Sequence, residues 1–276
     1  MSAKESQCIG IIGLGRMGRC LVQGLVEAKS FSEKQIFFTT RHEETSERVE
    51  KELSILRCKD NQELVRRSQT IVIAVKPQNI REVLTEIGPA IKKGQTLVSI
   101  VASVSTAQME KHLPSETAVL RAMPNTPVFV REGITAICLG KNAKEADWEK
   151  GATLFKPLGR LLRVDERYMD AVTGLSGAGP AYIYVILESL TDGGIKVGLP
   201  RELATQLAGQ TVLGAAKMLL ETGRHPAALK DEVTTPAGCT IDGLMELEEG
   251  KLRVTLIKAV VQATKRARLL SKQAKV

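Results

Sequence analysis

The hydrophobic pattern of this chain changes character near residue 164. Before that point, short apolar runs alternate with stretches of helical period. The runs are Cys8–Ile12, Gln35–Thr39, Thr70–Val75, Gln95–Ile100, Val119–Ala122 and Ile134–Leu139, and a helix is predicted over Arg16–Ala28. Thr-Ile-Val-Ile-Ala-Val at 70–75 is apolar almost throughout. A strand wetted on one face alternates apolar and polar residues, so an unbroken run marks a strand covered on both faces. Strands of this kind, separated by helices, predict a parallel, doubly wound α/β sheet. From about Asp165 the strand patterns stop. Helical stretches follow at Ala178–Val197, Arg201–Glu221, Ile241–Glu248 and Leu252–Ser271, punctuated by Leu199-Pro200, by Gly223 with His225-Pro226, and by Gly250. The expected organisation is two domains, residues 1–164 and residues 165–276, the second all-helical.

Composition narrows the class. The chain has 276 residues, 43% hydrophobic and 25% charged, which is the balance of a soluble globular protein. Aromatics are only 3%, which disfavours a base-stacking surface for single-stranded nucleic acid. The net charge of +8 has a local origin. Residues 251–276 hold eight basic side chains (Lys251, Arg253, Lys258, Lys265, Arg266, Arg268, Lys272, Lys275) and no acidic one, and the remainder balances at 31 against 31. A solvated basic face on a docked amphipathic helix accounts for this, with Leu252, Leu256, Val260, Val261 and Leu269 among its apolar positions. Neither a nucleic acid nor a membrane is therefore an expected partner. The five cysteines (Cys8, Cys20, Cys58, Cys138, Cys239) lack metal-ligand spacing and the three histidines lie apart, so no metal is expected. Free cysteines, the absence of an apolar leader in Met1–Gln7 and the lack of a membrane-length apolar run suit the cytoplasm.

Gly13-Leu14-Gly15-Arg16-Met17-Gly18 follows the first strand and opens the first helix. In that context G-x-G-x-x-G is the fingerprint of a dinucleotide-binding (Rossmann) domain, with the pyrophosphate on the helix N-terminus. The second strand ends Thr39-Thr40-Arg41-His42, without the acidic residue that holds the ribose 2′-hydroxyl of NAD. Thr40 and Arg41 offer a hydroxyl and a cation that suit a 2′-phosphate, so NADPH is the preferred cofactor, with NADH left open. Ala74-Val75-Lys76-Pro77 ends a further strand at the same edge, where ligands bind in such sheets. Met123-Pro124-Asn125-Thr126-Pro127 ends another in a loop stiffened by two prolines.

Residues 231–244 carry a second site. Thr234-Thr235-Pro236-Ala237-Gly238-Cys239-Thr240 leads into the apolar positions Ile241, Leu244, Met245 and Leu247. A helix N-terminus has unpaired N–H groups and a partial positive charge, and small residues let a ligand reach them. Such a corner suits a small carboxylate or phosphate. The local alternative is a Pro/Gly turn with Thr240 as an ordinary N-cap.

Together these segments resemble the pyrroline-5-carboxylate reductase family, through the glycine motif, Ala74–Pro77, Met123–Pro127, the segments 170–182 and 192–200, and the corner 231–241. The resemblance implies NADPH-dependent reduction of the cyclic imine 1-pyrroline-5-carboxylate to L-proline, the last step of proline synthesis. It also implies a homo-oligomer whose helical domains interlock as dimers, with a decamer of five dimers as the larger assembly. Substrate contacts would fall on Thr235, Gly238, Cys239 and Thr240, with Thr240 and Ser176 as the catalytic pair. Family cofactor contacts would fall on Ile12, Gly13, Leu14, Gly15, Arg16, Met17, Thr40, Asn61, Ala74, Lys76 and Ala102, and the strand ends add Arg41, Val75 and Pro77 to the expected set. Three positions depart from the family pattern. Ala237-Gly238-Cys239-Thr240 stands for Gly-Gly-Thr-Thr, Ser103 stands where glycine is common, and Ser176-Gly177-Ala178-Gly179-Pro180 has Ala178 for serine.

No His, Asp or Glu lies in the corner or between Thr173 and Leu187, so no strong general acid is evident. A cyclic imine is basic enough to take its proton from solvent, and the protein then supplies proximity and orientation. A β-hydroxyacid dehydrogenase would need a lysine on the helix after Ser176-Gly177-Ala178-Gly179. That helix begins Pro-Ala-Tyr-Ile-Tyr-Val-Ile-Leu-Glu, and Lys196 is about 30 Å further along it. A non-catalytic NADP-binding regulator would keep the glycine turn and lose the corner.

Overall fold

Eight strands form one sheet in the computed structural model, which describes residues 8–274. They are β1 (Ile9–Ile12), β2 (Ile36–Thr39), β3 (Leu56–Arg57), β4 (Thr70–Ile73), β5 (Thr96–Ser99), β6 (Ala118–Pro124), β7 (Gly133–Leu139) and β8 (Gly159–Arg163), in the order β3-β2-β1-β4-β5-β6-β7-β8. The helices accompanying them are α1 (Arg16–Glu27), α2 (Glu43–Leu53), α3 (Asn61–Arg67), α4 (Ile80–Ile87), α5 (Thr106–Glu110), α6 (Glu145–Phe155) and α7 (Met169–Val172). Then come α8 (Gly179–Lys196), α9 (Arg201–Thr222), α10 (Pro226–Glu232), α11 (Cys239–Glu249) and α12 (Leu252–Gln273).

The unbroken apolar runs divide strictly by parity. Ile11, Phe38, Val72, Val98 and Leu120 enter one core with Leu21, Val22 and Leu25 of α1 and Leu154 and Phe155 of α6. Ile71, Ile73, Leu97 and Val119 enter the other with Leu64 of α3 and Ile80, Leu84 and Ile87 of α4. Alternate side chains of a strand point to opposite faces, so both faces must be apolar when both are covered. Each such side chain contributes about 1.5–3 kcal/mol through burial.

The sheet is not wholly parallel, as the strand patterns predict. β6 and β7 pair antiparallel, while the other neighbours are parallel. The cause is the short link at 125–132, since a parallel crossover needs a dozen residues or more. Two strands lie outside the predicted set, as do α2 to α7, for which no ranges are predicted, and the short α10. β3 has only two residues, β8 is an edge strand with exposed Arg160, Leu162 and Arg163, and α10 has seven residues.

By packing, Gly179–Gln262 forms one unit, and the residues up to Ala178 with the stretch from Ala263 onward form the other. Side chains beyond β8 hold the segment before Gly179 to the sheet. Met169 is fully buried with Ala136 and Cys138. Arg121 of β6, itself 4% exposed, holds Glu166 at 3.0 Å and Asp170 at 3.6 Å. Glu166 also accepts the backbone N–H and hydroxyl of Thr106. The end of α12 docks on the same unit, where Ser271 Oγ donates to Asp170 Oδ1 at 2.9 Å and Gln108 Nε2 donates to the Ala274 carbonyl at 3.2 Å. Lys258, Lys265, Arg266, Arg268 and Lys272 of this helix are exposed. Lys275 and Met1–Gln7 lie outside the described residues.

The second unit, Gly179–Gln262, is built differently. Among its described residues only Thr191, Ala204 and Ala208 are buried. Tyr184, Val185, Leu207, Leu213, Met218 and Ile257 are all at least half exposed. No helix among the described residues is long and apolar enough to cross a membrane.

Removing one partner of a buried ion pair leaves uncompensated charge. Arg121→Ala is therefore expected to destabilise the first unit by about 3 kcal/mol, measured by denaturant unfolding. A loss under 1 kcal/mol would assign the cluster a minor role.

Candidate active site

At the carboxyl ends of β1, β2 and β4 lies a cleft of about 590 Å³. It opens where the chain order reverses, between β1 and β4, the place where doubly wound sheets bind ligands. Gly13 makes the turn out of β1 at φ +91°, donating its N–H to the Thr39 carbonyl at 2.9 Å. An added Cβ there would stand 2.9 Å from Val75 Cγ1 and 3.0 Å from the Ala74 carbonyl oxygen. Gly15 differs: it is the N-cap of α1 without a side-chain cap, and no atom beyond its own chain neighbours lies within 4 Å of where its Cβ would be. That open space adjoins uncapped N–H groups at the positive end of a helix dipole, a cradle for a phosphate.

Of the predicted cofactor residues, the cleft brings together Ile12, Gly13, Leu14, Gly15, Thr40, Arg41, Asn61, Ala74, Val75 and Lys76. Arg16, Met17, Pro77 and Ala102 are not part of its lining. Met17 packs against the core beneath α1, and Arg16 and Pro77 point to solvent. Thr39, His42, Thr45, Gln78, Asn79, Glu82, Val83 and Glu86 complete the wall. Asn79, Glu82, Val83 and Glu86 recur at helical spacing, so the signal was present but depended on knowing that α4 borders the cleft. Arg41 and Lys76 form no ion pair among the described residues. The Thr40 hydroxyl lies 2.6 Å from Ser46 Oγ, tying the end of β2 to α2. Nearby Glu43 has its carboxyl pKa lowered by its paired hydrogen bonds with Arg57.

The corner in the second unit is a tight turn into α11. The Gly238 N–H donates to the Thr235 carbonyl at 3.1 Å across Pro236 and Ala237, and Ala237 has φ +59°. Proline second and positive φ third is the pattern of a type II turn, whose third residue is ordinarily glycine. A Cβ on Gly238 would strike Thr235 Oγ1. The helix starts at Cys239, two residues before the predicted Ile241, and its N-cap is Gly238 rather than Thr240. Glycine needs no side chain to serve as an N-cap, which leaves Cys239 and Thr240 in the first turn. No side chain caps the helix. Ser176 is not in a turn before the long helix as expected. It sits in a π-helical segment, Thr173–Gly177, closed by Ala178 N–H to the Thr173 carbonyl at 2.9 Å, and its hydroxyl donates to the Val172 carbonyl at 3.1 Å.

The glycine turn, the open space over Gly15 and the reversal point define a dinucleotide-dependent oxidoreductase of the doubly wound class. Comparison with known proteins narrows this. A family model described as pyrroline-5-carboxylate reductase dimerisation matches residues 166–270, and one described as NADP oxidoreductase, coenzyme F420-dependent, matches residues 8–103. The chain is 42% identical to pyrroline-5-carboxylate reductase of Arabidopsis thaliana, covering 97% of this chain and 96% of that protein. It is 41% identical to the reductase of Methanosarcina acetivorans, covering 98% and 100%. Among solved structures, a Plasmodium falciparum pyrroline carboxylate reductase with NADP bound aligns at TM-score 0.88 and 32% identity, over 97% of this chain and 99% of that one. This chain belongs to the pyrroline-5-carboxylate reductase family.

The two glycines make separable predictions. Gly13→Ala forces an alanine to positive φ against backbone and is expected to destabilise the ligand-free protein by about 2 kcal/mol. Gly15→Ala meets no protein atom and is expected to leave thermal unfolding unchanged. Equal Tm values for both variants would overturn this account of the turn.

Proposed function

We propose that this protein reduces 1-pyrroline-5-carboxylate to L-proline with NADPH. The observation that carries the reading is the pairing, in one chain, of the Gly13–Gly15 cradle with the uncapped Thr235–Thr240 corner. When bound, NADPH supplies a hydride for the imine carbon. The residues proposed to hold it are those lining the cleft. Backbone N–H groups at Gly15 and the first turn of α1 take the pyrophosphate, and Thr40 and Arg41 take the 2′-phosphate. Arg16, Met17, Pro77 and Ala102 complete the proposed set at its edges.

For the substrate, Thr235, Gly238, Cys239 and Thr240 are proposed to hold the carboxylate through N–H groups and hydroxyls at the start of α11. The hydroxyls of Thr240, a half-buried residue, and of Ser176 are the proposed groups for orienting the imine. Proximity and orientation are what these residues contribute, since the imine nitrogen is protonated from solvent.

The exposed apolar residues of the second unit and the match to a dimerisation model support a homo-oligomer built on residues 165–276. A dimer is the proposed unit, with a decamer of five dimers as the larger form. The proposed compartment is the cytoplasm. All five cysteines are free, and burial pushes the thiols of Cys58 and Cys138 up to about 11 and about 12, so both stay protonated.

The direct test follows oxidation of NADPH and of NADH with 1-pyrroline-5-carboxylate, with a six-membered cyclic imine acid in parallel. Turnover is expected with the five-membered imine and a preference for NADPH. NADPH binding without turnover of either imine would leave a regulator or another reductase. Thr240→Ala is expected to lower kcat/KM for the imine by about tenfold or more while leaving NADPH affinity intact. Unchanged kinetics would remove Thr240 from the mechanism.

A further inference from the structure

Glu86 has no place in the functional reading so far, yet its carboxylate stands in the wall of the cleft. It lies on α4, one turn beyond Glu82, and is half-buried whereas Glu82 is exposed. Neither forms an ion pair among the described residues. Glu86 Oε2 accepts from Asn61 Nδ2 at 2.7 Å, and Asn61 Oδ1 in turn accepts from Thr39 Oγ1 at 2.5 Å. Asn61 is itself fixed in space as the first residue of α3, whose N-cap Asp60 accepts the Glu63 N–H at 2.7 Å.

This chain of three has a direction. An ionised carboxylate only accepts hydrogen bonds, so the amide nitrogen of Asn61 must face Glu86. The amide oxygen then faces Thr39, whose hydroxyl is left to donate. A threonine hydroxyl alone would not set this sense, because it donates and accepts equally well. With Glu86 in place, Asn61 keeps one Nδ2 hydrogen for a ligand in the cleft. The charge itself works against an anionic cofactor, so its retention in this wall needs a compensating role.

We propose that Glu86 is a positioning residue for the cofactor. Resting on the NADPH-binding reading above, it locks the carboxamide of Asn61 so that an N–H is presented to an acceptor atom on the ribose or adenine.

The sign of the effect separates positioning from simple electrostatics. Loss of one ordered hydrogen-bond donor weakens NADPH about five- to tenfold, whereas removal of a repelling charge alone tightens it. NADPH and NADP⁺ are titrated by calorimetry into the full-length protein and into E86A, E86Q, N61A and N61A/E86A, with thermal unfolding in parallel. E86A is expected to bind about five- to tenfold more weakly, E86Q to fall between it and the unsubstituted protein, and E86A to add nothing in the N61A background. In turnover, KM for NADPH rises and kcat holds. Should E86A fail to fold, E86Q with and without N61A decides the question in the same way. Unchanged or tighter binding by the folded variants, or a full E86A effect persisting without Asn61, overturns the inference alone. A wild-type protein that does not bind NADPH overturns the functional reading and this inference with it.

Discussion

Burial of the central strands on both faces is the constraint on which the rest depends. Ile71 and Ile73 of β4 need one helical layer and Val72 needs another, so connections must pass over both sides of the sheet. The helix leaving β1 covers one side, through Leu21, Val22 and Leu25, and the helix leaving β4 covers the other, through Ile80, Leu84 and Ile87. Because β1 and β4 are hydrogen-bonded neighbours, their chains part in opposite directions at the carboxyl edge. The cleft is the space this divergence leaves. A glycine-rich turn can line it only because no helix covers it.

What was legible in the amino-acid sequence follows the same physics. The covered strands β1, β2, β4, β5, β6 and β7 announced themselves as apolar runs, and Gly13–Gly18 was readable because it joined one of them to a helix. β3 and β8 were not, since a two-residue strand and an edge strand bearing Arg160 and Arg163 have no such run. The direction of β7 depended on the length of the link before it, which a pattern of apolar residues does not report. In the cleft, contiguous motifs gave Gly13, Gly15, Thr40, Arg41 and Lys76. The α4 stripe is assembled by the fold, and Asn61 was reached only through resemblance. The change of texture near residue 164 was legible, but the ion pairs of Arg121, made across a long stretch of chain and carrying the segment after β8 back onto the sheet, have no local pattern.

Two of the three departures from the family pattern acquire a common explanation. Ser103 and Ala237 both have positive φ, at +63° and +59°. Glycine adopts that region freely, whereas another L-residue is disfavoured there by roughly 1–2 kcal/mol. The turns are kept although the residue suited to them is absent, so the demand at these places is on the backbone path. Ser103 is buried, which leaves room there for only a small side chain, whereas Ala237 is exposed and is followed by Gly238, where an added Cβ would strike Thr235 Oγ1. At the corner, the backbone path decides where the N–H groups of Gly238, Cys239 and Thr240 point. Chemistry that depends on N–H groups tolerates Cys239 in place of a hydroxyl more readily than it tolerates a change in the turn.

The second unit obeys a different rule from the first. Helices whose buried residues are Thr191, Ala204 and Ala208 gain too little from burial to offset the entropy of ordering them. Its larger apolar side chains, Tyr184, Leu207, Leu213 and Met218 among them, face outward, which suits the dimerisation model that matches this region. Stability of the helical unit is then tied to protein concentration, whereas that of the sheet unit is intrinsic. The Thr235–Thr240 corner lies in the concentration-dependent part and the Gly13–Gly15 cradle in the intrinsic one. Dilution is therefore expected to loosen the Thr235–Thr240 corner before it loosens the Gly13–Gly15 cradle, because only the first lies in helices that leave their apolar side chains outside.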